Sequence, residues 1–170
     1  MQNGKKIEID KWDMIIAHPP CTYLSNVATR SHSIKSTPEN WINARTLNRI
    51  EAMQFFMSFV YANCDKVAIE NPVGVMNTCY RKPDQIVHPY MFAGNENDTE
   101  NYVTKATCLW LKGLSVLETN GLPKPDNKKV FGVYSNGKAK TWEETRFGDR
   151  ARVRSKTFPG IARAMAEQWG

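Results

Sequence analysis

The sequence predicts an α/β protein with a mostly parallel sheet and flanking helices, and three observations predict it. Two short, nearly continuous apolar runs, residues 11–17 and 65–70, are each stopped by a proline-bearing tip, the pattern of buried parallel strands. A long segment with helical spacing lies between them. Strand, helix and strand in this order favour a right-handed crossover, which makes the two strands parallel and sets their tips side by side. The chain has 170 residues, one domain's worth, so it reads as a single α/β domain over 1–170. The core covers about residues 7–118, and a basic loop and C-terminal helix cover about 119–170.

The first strand, Lys11-Trp12-Asp13-Met14-Ile15-Ile16-Ala17, ends at His18-Pro19-Pro20. Ser36-Thr37-Pro38-Glu39 combines capping-box spacing with a proline in the first turn and opens a helix running to about Ala62. Trp41, Ala44, Leu47, Ile50, Met53 and Phe56 recur on it at helical spacing and read as core, as do Ala52, Phe59 and Val60. Arg45, Asn48, Arg49 and Gln54 fill much of the other face. The second strand, Asp65–Glu70, is cut off by Asn71-Pro72. Beyond Gly74, Pro83, Pro89 and the polar run Asn95-Glu96-Asn97-Asp98 indicate loops. Thr107–Leu111 reads as a third strand, Gly121–Arg150 as a long loop, and about Pro159–Trp169 as a last helix with Ile161, Ala162, Met165, Ala166 and Trp169 on one face.

Composition narrows the function classes. Hydrophobic residues make up 41% and charged residues 24%, values of an ordinary globular chain rather than a disordered or fibrous one. No apolar run approaches the roughly 18 residues of a membrane span, and no apolar stretch follows the N-terminal lysines as in a secretory signal. Cys21, Cys64, Cys79 and Cys108 are too scattered for a disulfide framework, which places the protein in the reducing cytoplasm. With no Cys-x-x-Cys or His-x-x-x-His pair, no metal is expected.

Charge is unevenly placed. Residues 1–120 balance 12 Lys/Arg against 12 Asp/Glu, whereas residues 121–170 carry 11 against 5, the whole of the net +6. Lys138, Lys140, Arg146, Arg150, Arg152, Arg154 and Lys156 alternate there with Tyr134, Trp142 and Phe147. That mixture suits a phosphate backbone with stacked bases, and it equally suits a solvated loop face.

Ligands of open α/β sheets gather beyond the carboxyl ends of the strands, where Pro20-Cys21 and Glu70-Asn71 fall. A thiol on a proline-fixed loop can be aimed into a cleft, although a free cysteine is also commonly a small buried hydrophobe. A carboxylate ending an apolar strand is costly to bury without a partner or a task, unless the strand end is exposed. Together the two are the pair needed for attack on C6 of a pyrimidine: sulfur adds to the ring while the acid serves N3. His18, His32 and His88 read as structural or surface histidines, with His18 alone near enough to lower the pKa of Cys21. Gly132–Gly137 reads as a hairpin or loop rather than a phosphate cradle.

Pro19-Pro20-Cys21 followed by Glu70-Asn71-Pro72 resembles the Pro-Cys and Glu-Asn signatures of DNA cytosine-5 methyltransferases. The wider context, including Trp12–Ser25, Ile69–Val73, Arg81–Gln85, Lys105–Leu114 and Arg154–Ala162, is similar to small phage and prophage proteins of the cytosine methyltransferase-like kind. The resemblance implies a Rossmann-like sheet of truncated methyltransferase type, Cys21 as nucleophile, Glu70 as the N3 partner, Asn71 positioning the loop, and a base flipped out of the DNA. Pro20, Asn71, Arg152 and Arg154 become candidate substrate-binding residues, the two arginines on residue type. It also implies S-adenosylmethionine as methyl donor and the cytoplasm of a phage host as location. The family's glycine-rich donor loop is expected to be missing, since about ten residues precede the first strand and Gly4 is the only glycine before Gly74. A donor would then need an unusual site, a homo-oligomer, or a partner chain completing the cofactor half. Two other readings stay open: a non-catalytic phage protein that binds DNA or a nucleotide, and an enzyme that cleaves a nucleotide glycosidic bond through Glu70.

Overall fold

Strand register decides where the two tips fall. The structure, a computed structural model, describes residues 11–26, 39–125, 135–137 and 157–170. Strand β1 (Ile15–Ala17) pairs in parallel with β2 (Val67–Pro72), with Ile15 opposite Val67 and Ala17 opposite Ile69. His18 and Glu70 are therefore the next residues at neighbouring tips. Helix α1 (Glu39–Val60) lies between the two strands in sequence. The proposed cap at Ser36 falls outside the described residues.

Strand β4 (Thr107–Lys112) flanks β2 on its other side and runs antiparallel, with Glu70 opposite Leu109 and Asn71 opposite Cys108. Strand β3 (Gln85–Val87) completes the order β1-β2-β4-β3. The α/β class stands, but the expectation of a mostly parallel sheet is corrected: β1 and β2 run parallel, while β2 and β4 do not. A parallel return needs a crossover as long as the strand, usually a helix. Between β2 and β4 the only α-helix is α2 (Met76–Cys79), about 6 Å long by its four residues. The short α2 and β3 lie in the region read as loops.

The described chain falls into two compact units, one of residues 1–86 and 107–116 and one of residues 87–106 and 117–170. The first has a core of Leu24, Phe56, Val67, Ile69, Met76 and Trp110, joined by the buried thiols of Cys64 and Cys108. Phe56 and Trp110 meet edge to face at 5.1 Å. Only the C-terminal half of α1 belongs to this core. Phe56 is fully buried and Ala52, Met53, Phe59 and Val60 pack on the cluster, whereas Trp41, Leu47 and Ile50 are 62%, 63% and 47% exposed. The expectation that all of them are core is corrected by length: a 22-residue helix spans about 33 Å, and a six-residue strand covers about 20 Å.

In the second unit, helix α3 (Pro159–Trp169) packs directly on a 3-10 turn (Pro89–Phe92), and its start is held by Asn101. Its Oδ1 accepts the Gly160 N–H at 2.8 Å while its amide donates to Asp98 at 2.9 Å. A side chain on Gly160 would run into the Phe92 carbonyl, so glycine allows this close approach. Helix α3 buries Ile161, Ala164, Met165 and Trp169, and leaves Ala162 and Ala166, expected on that face, exposed. Among the described residues no helix is long and apolar enough to cross a membrane.

Candidate functional site

The site is built at the carboxyl ends of β1 and β2. After Ala17 the chain passes through His18 and two prolines, then turns tightly, the Cys21 carbonyl accepting the N–H groups of Leu24 at 3.1 Å and Ser25 at 3.0 Å. Proline fixes φ at each of two successive positions, so the approach to Cys21 is stiff. Cys21 is exposed, as is Pro20, while Pro19 is buried.

Asn71 secures this loop from β2. It is 2% exposed, and its Nδ2 donates to the Pro19 carbonyl at 2.7 Å. On the far side of the turn, Val75 N–H donates to the Leu24 carbonyl at 2.8 Å and Asn26 N–H to the Val73 carbonyl at 3.2 Å. Gly74 lets the two segments meet, because a Cβ there would overlap the Leu24 carbonyl. The loop carrying Cys21 is thus pinned both before and after the thiol.

Glu70 is one residue earlier on β2, with its side chain 16% exposed. It is partnered by His18: Nδ1 and Oε2 share a hydrogen bond of 2.7 Å. Sequence reading placed His18 beside the thiol, whereas the parallel register sets it against the carboxylate. The charge of Glu70 also reaches Cys108, whose thiol is pushed up first by burial and further by Glu70, against a contact from the Asn77 amide at 3.5 Å. Cys108 is therefore held as a neutral thiol in the core, and Cys64 is likewise buried, donating toward the carbonyls of Trp12 and Lys66.

Of the sequence-derived candidates, Cys21, Pro20, Glu70 and Asn71 come together at this end of the sheet. Arg152 and Arg154, with most of the basic segment, lie outside the described residues. Sequence reading missed a second group. Tyr23 is held by three residues of α1: Arg49 Nε donates to its carbonyl at 3.0 Å, Asn48 Nδ2 to its hydroxyl at 3.2 Å, and the Arg45 guanidinium lies 5.2 Å from its ring centroid. The signal was the spacing of 45, 48 and 49, which puts them on one helix face.

No family model, no curated protein and no solved structure matches this chain. Among the described residues, no three His, Cys, Asp or Glu side chains gather as metal ligands. Gly74, the glycine just beyond β2, is closed by the Leu24 carbonyl, so it is not an open cradle for the methyl donor that the resemblance implies.

Proposed function

We propose that this chain is a DNA cytosine-5 methyltransferase-like protein that acts on cytosine through a Cys21 adduct, with Glu70 assisting and a Rossmann-like sheet of truncated type as its scaffold. The observation that carries the reading is the parallel pairing of β1 and β2, which sets the Cys21 loop and Glu70 at one end of adjacent strands. The Asn71–Pro19 hydrogen bond supports it by fixing how the loop leaves β1.

In this chemistry the Cys21 thiolate gives an electron pair to C6 of an extruded cytosine and forms an S–C6 bond. The C5–C6 π pair moves onto C5 and, by conjugation through C4, toward N3. Glu70 hydrogen-bonds or protonates N3 and so lowers the energy of the adduct. His18, bonded to the same carboxyl group, orients it and exchanges a proton with it. Collapse of the adduct returns the pair to sulfur and breaks the S–C6 bond. S-adenosylmethionine, if this protein holds it, would supply a methyl group to C5 of the adduct, and loss of the C5 proton to a base would then restore the C5=C6 bond as the S–C6 bond breaks. DNA is the proposed partner, and a second chain, identical or different, is the proposed source of a donor site.

The test is covalent trapping. The protein is incubated with a randomised duplex pool containing 5-fluorocytosine, with and without S-adenosylmethionine, and the adduct is located by mass. An adduct on Cys21 that needs the donor supports methyl transfer. Demonstrated binding of the pool with no adduct overturns the catalytic reading in favour of a non-catalytic nucleic-acid-binding protein.

A further inference from the structure

We propose that helix α1 positions Cys21: Arg49, with Asn48 and Arg45, holds Tyr23 and so fixes the turn that presents the thiol. The inference rests on the reading of Cys21 as a cytosine-directed nucleophile, and it names the residues that aim that nucleophile without touching the base.

The first observation is where α1 carries its polar side chains. Arg45, Arg49, Ala52 and Phe56 follow one another at intervals of four, three and four, so they share one stripe of the helix. On the C-terminal half this stripe faces the core, with Phe56 fully buried and Ala52 packed on the cluster. Toward the N-terminus the same stripe turns cationic, and Arg45, Asn48 and Arg49 are partly buried. Burial first, and then the charge of Arg45, lower the pKa of Arg49. A core-facing guanidinium needs an acceptor.

The second observation is what these side chains meet. Arg49 Nε donates to the Tyr23 carbonyl at 3.0 Å and Asn48 Nδ2 to the Tyr23 hydroxyl at 3.2 Å, while the Arg45 guanidinium lies 5.2 Å from the ring centroid. Backbone, ring and hydroxyl of one residue are thus held together by one helix face.

The third observation connects Tyr23 to the thiol residue through a single peptide group. Leu24 N–H donates to the Cys21 carbonyl at 3.1 Å, closing a four-residue turn in which Tyr23 is third. The Tyr23 carbonyl and the Leu24 N–H belong to the same planar, trans peptide. Arg49 therefore grips one edge of that plane while Cys21 is bonded to the other. Strand β2 holds the loop at the Pro19 carbonyl and its following segment at the Leu24 carbonyl. The residues between those two points, Cys21 among them, are held from α1. Misplacing a reacting group by about 1 Å can cost on the order of 10²-fold in rate, so this grip bears on the chemistry.

Two quantities test the inference: amide exchange of Leu24 and Ser25 by NMR in the free protein, and the kinetics of adduct formation with the 5-fluorocytosine pool. Arg49→Met keeps the apolar stem and loses the donor. It is expected to speed exchange of both amides roughly tenfold and to lower the limiting rate of adduct formation roughly ten- to a hundredfold. The pool concentration giving half that rate should not move, since Arg49 is not a contact to the nucleic acid. Arg49→Lys, which can still donate to a carbonyl, should recover part of both losses, and Tyr23→Phe, which removes only the acceptor of Asn48, should show a smaller change of the same kind. Gln54→Ala, at an exposed position of α1, is the control and should change neither. Should Arg49→Met fail to fold, Arg49→Lys and Tyr23→Phe carry the same comparison. Wild-type exchange and limiting rate in the Arg49 and Tyr23 variants overturn the proposal. Faster exchange with an unchanged limiting rate also overturns it, leaving the contact merely structural, and so does a shift in half-saturation alone, which would make Arg49 a nucleic-acid contact. If wild type binds the pool and forms no adduct, it is the catalytic reading that falls, and amide exchange alone then decides whether α1 holds the turn.

Discussion

Asn71 Nδ2 donates to the Pro19 carbonyl at 2.7 Å, tying the end of β2 to the loop that follows β1 across 52 positions of sequence. Both groups are buried, and the other amide atom, Oδ1, is buried without a protein partner. Removing one side of a buried hydrogen bond leaves the other group desolvated and unpaired. Asn71→Ala should therefore lower stability by about 1–3 kcal/mol, read as a lower urea midpoint. Asn71→Asp should cost more, since it sets a carboxylate against the Pro19 carbonyl.

The opposite side of the same loop depends on a missing side chain. A Cβ at Gly74 meets the backbone carbonyl of Leu24, not the flexible end of a side chain. Neither segment can yield easily, because Val75 N–H bonds that carbonyl and the Gly74 N–H bonds Asn77 Oδ1 at 3.0 Å. Gly74→Ala is expected to destabilise the protein by about 1–3 kcal/mol, the usual cost of overpacking a fitted site. Thermal unfolding measures that loss, and the alkylation rate of Cys21 reports whether its loop has moved.

Helix α1 makes a contrast between two apolar residues testable. Phe56 is fully buried against Trp110, whereas Leu47 is 63% exposed. Phe56→Ala should cost about 3–5 kcal/mol, and Leu47→Ala should stay within about 0.5 kcal/mol. Comparable losses in urea unfolding would mean that something covers the first half of the helix in solution.

That contrast also marks what local sequence can and cannot reveal. The proline stop after Ala17 was legible because an apolar run and its stop are local. The stop expected after Glu70 is corrected: β2 runs on through Asn71 and Pro72, which pair with Cys108 and Thr107 of β4. Helix α3 was legible, and its bounds agree with its expected span of Pro159–Trp169. The direction of β4 was not legible, since an apolar run reads the same parallel or antiparallel and only its partner settles it. β3 and α2, with three and four residues, are too short to show a period. Helical spacing put Arg45, Asn48 and Arg49 on one face but could not say that Tyr23 lies opposite. The His18–Glu70 pair depends on register between strands 52 residues apart, which no local pattern carries.

His88 supplies a pH dependence in the second unit. Burial first, and then the charge of Lys124, hold its pKa below the ordinary histidine value. The unfolded chain therefore takes up a proton at a higher pH than the native one. Stability contributed by neutral His88 is complete above about pH 6.5 and is lost as pH falls toward the lower native value. Urea midpoints from about pH 7.5 to about pH 5.5 should fall in wild type and fall less steeply in His88→Gln. Parallel profiles would assign the slope to other groups.

The roles of Cys21 and Glu70 are separable by substitution because the two side chains do different chemistry. If sulfur forms the bond to C6, Cys21→Ser should abolish the adduct with 5-fluorocytosine, the hydroxyl being a far weaker nucleophile at neutral pH. Glu70→Gln keeps an amide that can still hydrogen-bond at N3 but cannot supply a proton, and should slow adduct formation about 10²–10⁴-fold without ending it. His18→Asn removes the group bonded to Glu70 Oε2 while leaving both reacting side chains in place. It should give a smaller loss and a displaced pH–rate profile, which a purely structural histidine would not produce. The reverse pattern, with nucleotide turnover intact in Cys21→Ser and absent in Glu70→Gln, would move the chemistry to a glycosidic bond. The His18–Glu70 pair would then be the acid–base centre, and Cys21 an exposed thiol beside it.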